Sequence, residues 1–204
     1  MDLYDLFLRC ITIPYQQTGV SANYAFEIVD NVLYIYFEDS SGVNDWLRNL
    51  NFPARPYVIS KKLMFGHGGF LKVFNEIKPK LTEIIISKDI KEIVVVGYSH
   101  GAGVAVFCYE YIWETRKDLR NHLKGYGFGA PRVIFGLPIK KLQKKWNNFT
   151  VVRNIDDIVT HLPPFIFGFY HVGKLLKIGQ KGKYTKIDAH KEINILRELR
   201  KQQF

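Results

Sequence analysis

The sequence predicts an α/β protein: a mostly parallel central sheet flanked by helices, with an amino-terminal β-hairpin. Three observations carry this. Ile93-Val94-Val95-Val96 is an unbroken β-branched run, the pattern of a strand covered on both faces. A long helical run follows from Ala102 to Leu119, and strand and helix patterns alternate from residue 57 onward, as in layered α/β domains. Tyr24 to Val29 and Val32 to Phe37 are aromatic and β-branched with Asp30-Asn31 between them, which is a hairpin signal.

The remaining elements follow in order. The first twenty residues open with a mixed apolar pattern that suits a short helix. Trp46 to Leu50 has short helical character, ended by Pro53 and Pro56. Tyr57 to Ser60 and Leu63 to Phe65 read as short strands. Phe70, Val73, Phe74, Ile77, Leu81 and Ile84 recur at helical spacing, with Pro79 as a place for a kink. Gly125 to Gly129 and Thr150 to Arg153 are the next strands, separated by a basic helical stretch from Pro138 to Trp146. Leu175 to Lys186 reads as a hairpin turning near Gly179-Gln180 and Gly182, and Ala189 to Arg200 as a final helix.

Length and composition narrow the class. The 204 residues, 47% of them hydrophobic, fit a single domain over 1–204 with a sizeable core. No stretch of 18 apolar residues is present, so no transmembrane helix is expected. The start, Met1-Asp2-Leu3-Tyr4-Asp5, is acidic where a leader would be basic. The expectation from this is a cytoplasmic protein, with Cys10 and Cys108 reduced and Cys108 in the core. The net charge of +10 includes a late concentration of lysines: Lys140, Lys141, Lys144, Lys145, Lys174, Lys177, Lys181, Lys183 and Lys186. A solvated basic surface, an anionic membrane or an acidic partner all fit this charge. No nucleic-acid module accompanies it.

The chemistry centres on Gly97-Tyr98-Ser99-His100-Gly101. A serine hydroxyl is a weak nucleophile until a base and a presented geometry activate it. Gly-x-Ser-x-Gly at the end of a strand and the start of a helix gives a sharp turn that holds the hydroxyl above the sheet. The strand at 93–96 and the helix from 102 supply that context. The string Gly168 to Lys174 also fits a phosphate-loop pattern. Leu175 stands where that loop needs a hydroxyl, and no clear strand precedes it, so the match carries no function. The helix start after Ser99 favours negative charge, which gives the backbone N–H of His100 one half of an oxyanion hole. The His100 imidazole points away from the serine in such a turn.

A nucleophile elbow expects its acid next in the chain and its histidine last. Asp156 and Asp157 follow the strand at 150–153, and either places a carboxylate on a carboxyl-end loop. His161 is too close to them and reads as local structure. His171 reads as a buried, hydrogen-bonded histidine, whereas His190 lies on a loop before the last helix. Spacing favours His190 as base without excluding His171. His67 and His100 lack ligand-like spacing with carboxylates or cysteines, so neither a metal nor a cofactor is expected.

Five collinear blocks resemble the fungal-type triacylglycerol lipases, the class 3 lipases, from about Tyr34 to about Leu199. They are Phe37 to Trp46, His67-Gly68-Gly69-Phe70, the turn around Ser99, Gly127 to Val133, and Asn154 to Pro164. The resemblance implies an α/β-hydrolase fold and a lipid or other ester as substrate. It places the acid on Asp157 and the base on His190, in Asp188-Ala189-His190. It places Ser40 in the oxyanion hole with His100, and a lid within Ser41 to Leu50. Three departures are Glu38-Asp39, where the family carries Arg-Gly, Thr160, where proline is usual, and the Asp188-x-His190 spacing, looser than the common adjacent pair. The expected activity is cleavage of lipid carboxylic esters through a Ser-His-Asp triad. The alternatives are a phospholipase on anionic membranes, favoured by the late lysines, and a catalytically impaired lipid- or protein-binding module, favoured by Glu38-Asp39.

Overall fold

Side-chain alternation on one central strand sorts the core into two layers. On β6 (Glu92–Tyr98), Ile93 and Val95 face one apolar cluster, while Val94, Val96 and Tyr98 face another. The first cluster is completed by α2 (Gly68–Ile85) and α3 (His100–Thr115). The second is completed by α1 (Leu3–Thr12) and α4 (Glu192–Arg200). A strand buried on both faces is what the β-branched run at 93–96 requires. The computed structural model describes residues 1–18, 22–38, 53–59, 62–87, 89–136 and 144–202.

Seven strands form the main sheet in the order β1-β2-β3-β6-β7-β9-β11. β1 (Gln16–Thr18), β2 (Ala22–Val29) and β3 (Val32–Phe37) are antiparallel neighbours. Asp30 and Asn31 join β2 to β3 with φ of 49° and 65°, the left-handed conformations that a two-residue hairpin turn needs. From β3 onward the sheet is parallel through β6, β7 (Leu123–Phe128), β9 (Phe149–Asn154) and β11 (Lys174–Ile178). In register, Phe37 lies beside Gly97 and Tyr98 beside Phe128, so these strands end level with one another.

A second, four-stranded antiparallel sheet runs β10-β8-β5-β4. It comprises β4 (Ala54–Ile59), β5 (Lys62–His67), β8 (Ile134–Phe135) and β10 (Phe169–Tyr170). It covers α3: the Tyr57 ring meets Phe107 edge-on at 5.3 Å, and the Tyr57 hydroxyl donates to buried Glu110 at 2.6 Å. Glu110 also pairs with Lys145. A carboxylate this deep is tolerated because both partners satisfy it.

Several expectations change. Leu175 to Lys186 is not a hairpin: β11 stops at Ile178 and pairs in parallel with β9. The chain beyond it is held by other contacts. Asp156 accepts from the N–H groups of Gly182 (3.0 Å) and Tyr184 (3.4 Å), and Glu198 accepts from Lys183 (2.5 Å) and the Tyr184 hydroxyl (2.6 Å). The helix expected over 102–119 begins earlier, at His100, and closes at Thr115, with a 3-10 turn over Lys117–His122. The last helix starts at Glu192, after a 3-10 turn over Asp188–His190. α2 runs unbroken through Pro79. Of the basic stretch 138–146, the described part is a 3-10 turn over Lys144–Trp146. No described helix is long and apolar enough to cross a membrane.

Candidate active site

Ser99 stands between the end of β6 and the first residue of α3, with φ 52° and ψ −117°. A side chain in this region of backbone space is strained, and such strain persists only where its surroundings fix it. Here the surroundings are two glycines. A Cβ on Gly97 would lie 2.4 Å from the Gly101 carbonyl oxygen, and one on Gly101 would lie 2.2 Å from that of Phe37. Only hydrogen fits at either place, so the motif's glycines are demanded by backbone packing. The Ser99 N–H donates to the Phe128 carbonyl at 2.9 Å, which ties the turn to β7.

Asp157 follows β9 by three residues, and His190 lies twelve residues beyond the end of β11. Both therefore reach the carboxyl end of the parallel strands, where Ser99 emerges. The Ser99 hydroxyl is 2.8 Å from His190 Nε2, and His190 Nδ1 is 2.8 Å from Asp157 Oδ2. All three are buried. The other carboxylate oxygen of Asp157 accepts from the Val159 N–H at 2.9 Å. Thr160, the departure from the proline usual in the family, is buried, and its hydroxyl donates to the Asp157 carbonyl at 2.9 Å. A carboxylate can only accept, so in this pairing the proton of a neutral imidazole lies on Nδ1 and Nε2 faces the Ser99 hydroxyl as an acceptor.

The two alternatives left open by spacing lie elsewhere. His171 Nε2 is 2.7 Å from the Thr160 carbonyl, and burial pushes the imidazole down to about 4. It is the hydrogen-bonded histidine expected of it. Asp156 is half-buried and accepts from the backbone of the loop at 182–184. His161 sits in a 3-10 turn, and its carbonyl accepts from Arg132.

His100 begins α3, whose first turn directs its N–H groups out of the helix end. Its ring packs on Phe70 with centroids 4.9 Å apart, and burial pushes it down to about 4. His67 caps α2 by accepting the Gly69 N–H at 3.2 Å, and its ring packs against Phe70 and Phe169. Burial holds it at about 4 as well. Glu38, the first of the two departing acids, accepts from the Asn23 side-chain amide at 2.9 Å. Asp39, Ser40 and the lid expected within Ser41 to Leu50 lie outside the described residues. Among the described residues no three His, Cys, Asp or Glu side chains are grouped to hold a metal.

The residues that contact His190 and its neighbour Ala189 outside the relay are not foreseeable from the sequence. The Asn154 amide donates to the Ala189 carbonyl at 2.9 Å, and the Tyr98 hydroxyl donates to the His190 carbonyl at 2.7 Å. Gly129 has φ +59°, and a Cβ there would lie 2.6 Å from His190 Cε1. These contacts join residues far apart in the chain. The one available signal was the Gly127-Phe128-Gly129 block at the end of a strand.

A mostly parallel sheet with a strained serine at a strand–helix elbow and a histidine and aspartate on later carboxyl-end loops defines an α/β hydrolase. The sequence profile of the family "Lipase (class 3)" matches residues 34–167, and the chain belongs to that family. It is 29% identical over 152 residues to a lipase of Rhizomucor miehei, covering 71% of this chain and 41% of that one. It is 28% identical over 162 residues to a secreted mono- and diacylglycerol lipase of Fusarium solani, covering 76% and 46%. A solved triacylglycerol lipase, described as having a serine protease triad as its catalytic centre, superposes with a TM-score of 0.70 at 25% identity, over 82% of this chain and 66% of that one. The chain thus spans less than half the length of the two curated relatives. The cytoplasmic location expected from the acidic start is overturned, because relatives are secreted lipases. The first residues of this chain carry no weight against that.

Proposed function

We propose that this chain hydrolyses carboxylic esters of lipids, with Ser99 as nucleophile, His190 as general base and Asp157 as the group that orients it. The observation that carries the proposal is the continuous relay from Ser99 Oγ through His190 to Asp157, both links 2.8 Å, mounted on a strained elbow. Ser99 Oγ bonds to the ester carbonyl carbon as its proton passes to His190 Nε2. The tetrahedral oxyanion is stabilised by the His100 backbone N–H and by Ser40. Collapse breaks the ester C–O bond, and the proton on Nε2 goes to the departing alcohol. Water, deprotonated by the same imidazole, then releases the fatty acid and restores Ser99.

The substrate reading rests on the family and on the mono- and diacylglycerol and triacylglycerol lipases the chain resembles. The net charge of +10 adds attraction to lipid surfaces that carry acidic headgroups or accumulate fatty acid. Replacing Ser99 by Ala is expected to abolish nitrophenyl ester hydrolysis and labelling by a fluorophosphonate. Turnover by the variant at the wild-type rate would refute the proposal.

A further inference from the structure

We infer that Tyr98 is a positioning residue for His190, gripping its ring and its backbone at once and so holding both imidazole nitrogens in the relay. This rests on the proposed roles of Ser99, His190 and Asp157.

The need for a brace follows from where His190 sits. It is carried by a 3-10 turn at the end of a segment that left the sheet at Ile178, so no strand fixes it. Tyr98, by contrast, is the last residue of β6, in register with Phe128. Its ring is stacked on the His190 imidazole, with centroids 5.3 Å apart and planes inclined by 23°. Its hydroxyl donates to the carbonyl of the same histidine at 2.7 Å. One side chain therefore fixes the plane of the imidazole and the position of its main chain.

The brace is itself backed. Phe7 of α1, fully buried, meets Tyr98 edge-on at 5.4 Å and packs on Phe128 at 4.6 Å. Tyr98 is thus held between the amino-terminal helix and the imidazole. Gly129 brings backbone so close to Cε1 and Nδ1 that a methyl group would not fit. A ring rotated out of plane would lose Ser99 at one nitrogen and Asp157 at the other. The stacked ring also presents a negative π face to the imidazolium that forms when His190 takes the serine proton.

The test compares Tyr98→Phe, which keeps the ring, with Tyr98→Leu, which removes it. Fluorophosphonate titration counts competent sites, so that kcat is expressed per site. Tyr98→Phe is expected to lower kcat about fivefold, the effect of one lost hydrogen bond. Tyr98→Leu is expected to lower it roughly 100-fold, as for a displaced catalytic group, with KM within about twofold in both. Nitrogen NMR of the His190 ring, in protein also carrying Ser99→Ala, reads its order without catalysis. One tautomer is expected while Tyr98 is present, and exchange between two once Tyr98→Leu has removed the stacked ring. A single unchanged tautomer in the Tyr98→Leu variant, or kcat per site within twofold of wild type in both variants, overturns the inference. If Ser99→Ala alone turns over substrate normally, the triad reading fails and the ring spectrum still decides the role of Tyr98.

Discussion

Asp157 meets His190 through one carboxylate oxygen while its other oxygen is committed to the Val159 N–H, 2.9 Å away. The carboxylate is therefore oriented by a contact that does not involve the histidine, and it has one way to present itself to Nδ1. Asp157→Asn keeps the shape and loses that control. The Asn amide can turn its NH2 toward Nδ1, which then becomes an acceptor and sends the imidazole proton to Nε2, facing Ser99. The kcat for a nitrophenyl ester is expected to fall by about 10³ to 10⁴ with the fold retained. A loss below tenfold in a folded variant would show that Asp157 does not set the tautomer.

Gly129 sets the other limit on the imidazole. Its φ of +59° is open to glycine, and the added methyl of Gly129→Ala would lie 2.6 Å from His190 Cε1 and 2.9 Å from Nδ1. The backbone alone costs about 1–2 kcal/mol in that conformation. The clash must then push His190 away from Asp157. Activity is expected to drop at least about 100-fold, with a melting temperature lower by several degrees, about 2–4 °C per kcal/mol for a chain of this size. Thermal melts and ester assays on the one variant separate these two effects: a variant that melts early yet retains full kcat would show that the imidazole tolerates the methyl.

How much of this was legible in the sequence depended on how local the determining contact is. Ser99 was readable because the whole Gly-x-Ser-x-Gly signature lies within five residues, with Gly97 packed on Gly101 inside it, although the contact that demands Gly101 comes from distant Phe37. The hairpin at Asp30-Asn31 was readable for the same reason. Spacing left His171 and His190 both open, since what separates them is the Thr160 carbonyl on one and Asp157 with Ser99 on the other. Tyr98 carried no signal at all, because its partner lies 92 positions away. The second sheet was hidden because β8 and β10 are two residues each. The stretch after β11 suggested a hairpin through its glycines. Its real ties, Asp156 and Glu198, lie 26 and 15 residues from Gly182 and Lys183.

Buried histidines contribute to the acid response of the fold. Burial pushes His171 and His67 down to about 4, against about 6.5 in an unfolded chain. Below pH 6.5 the unfolded form takes up protons that the folded form refuses. Stability is thus complete above about pH 6.5 and declines as pH falls toward 4, by at most about 3 kcal/mol per histidine. His171→Gln retains a donor for the Thr160 carbonyl and removes one of these groups. The melting temperature of the variant is expected to fall less steeply than that of wild type between pH 6.5 and 4. Parallel curves for the two proteins would remove His171 from the account.

Eight residues after Asp157 the chain makes a 3-10 turn, Phe165–Phe167, whose residues are 60%, 84% and 56% exposed. The turn is firmly mounted. Arg132 holds the Pro163 carbonyl at 2.9 Å, the Gly136 N–H donates to the Gly168 carbonyl at 3.0 Å, and Gly168 packs on Phe135. Three adjacent apolar side chains in water suit contact with a lipid surface. Transferring Ile166 into that surface is favourable by about 1.5–3 kcal/mol, and an aspartate there forfeits it. Ile166→Asp is expected to lower hydrolysis of an emulsified long-chain ester about tenfold or more. A water-soluble short-chain ester does not use the surface, and its hydrolysis should stay within about twofold of wild type. Equal losses on both substrates would mean that Ile166 acts on the site itself, and no loss on either would mean that the turn does not touch lipid.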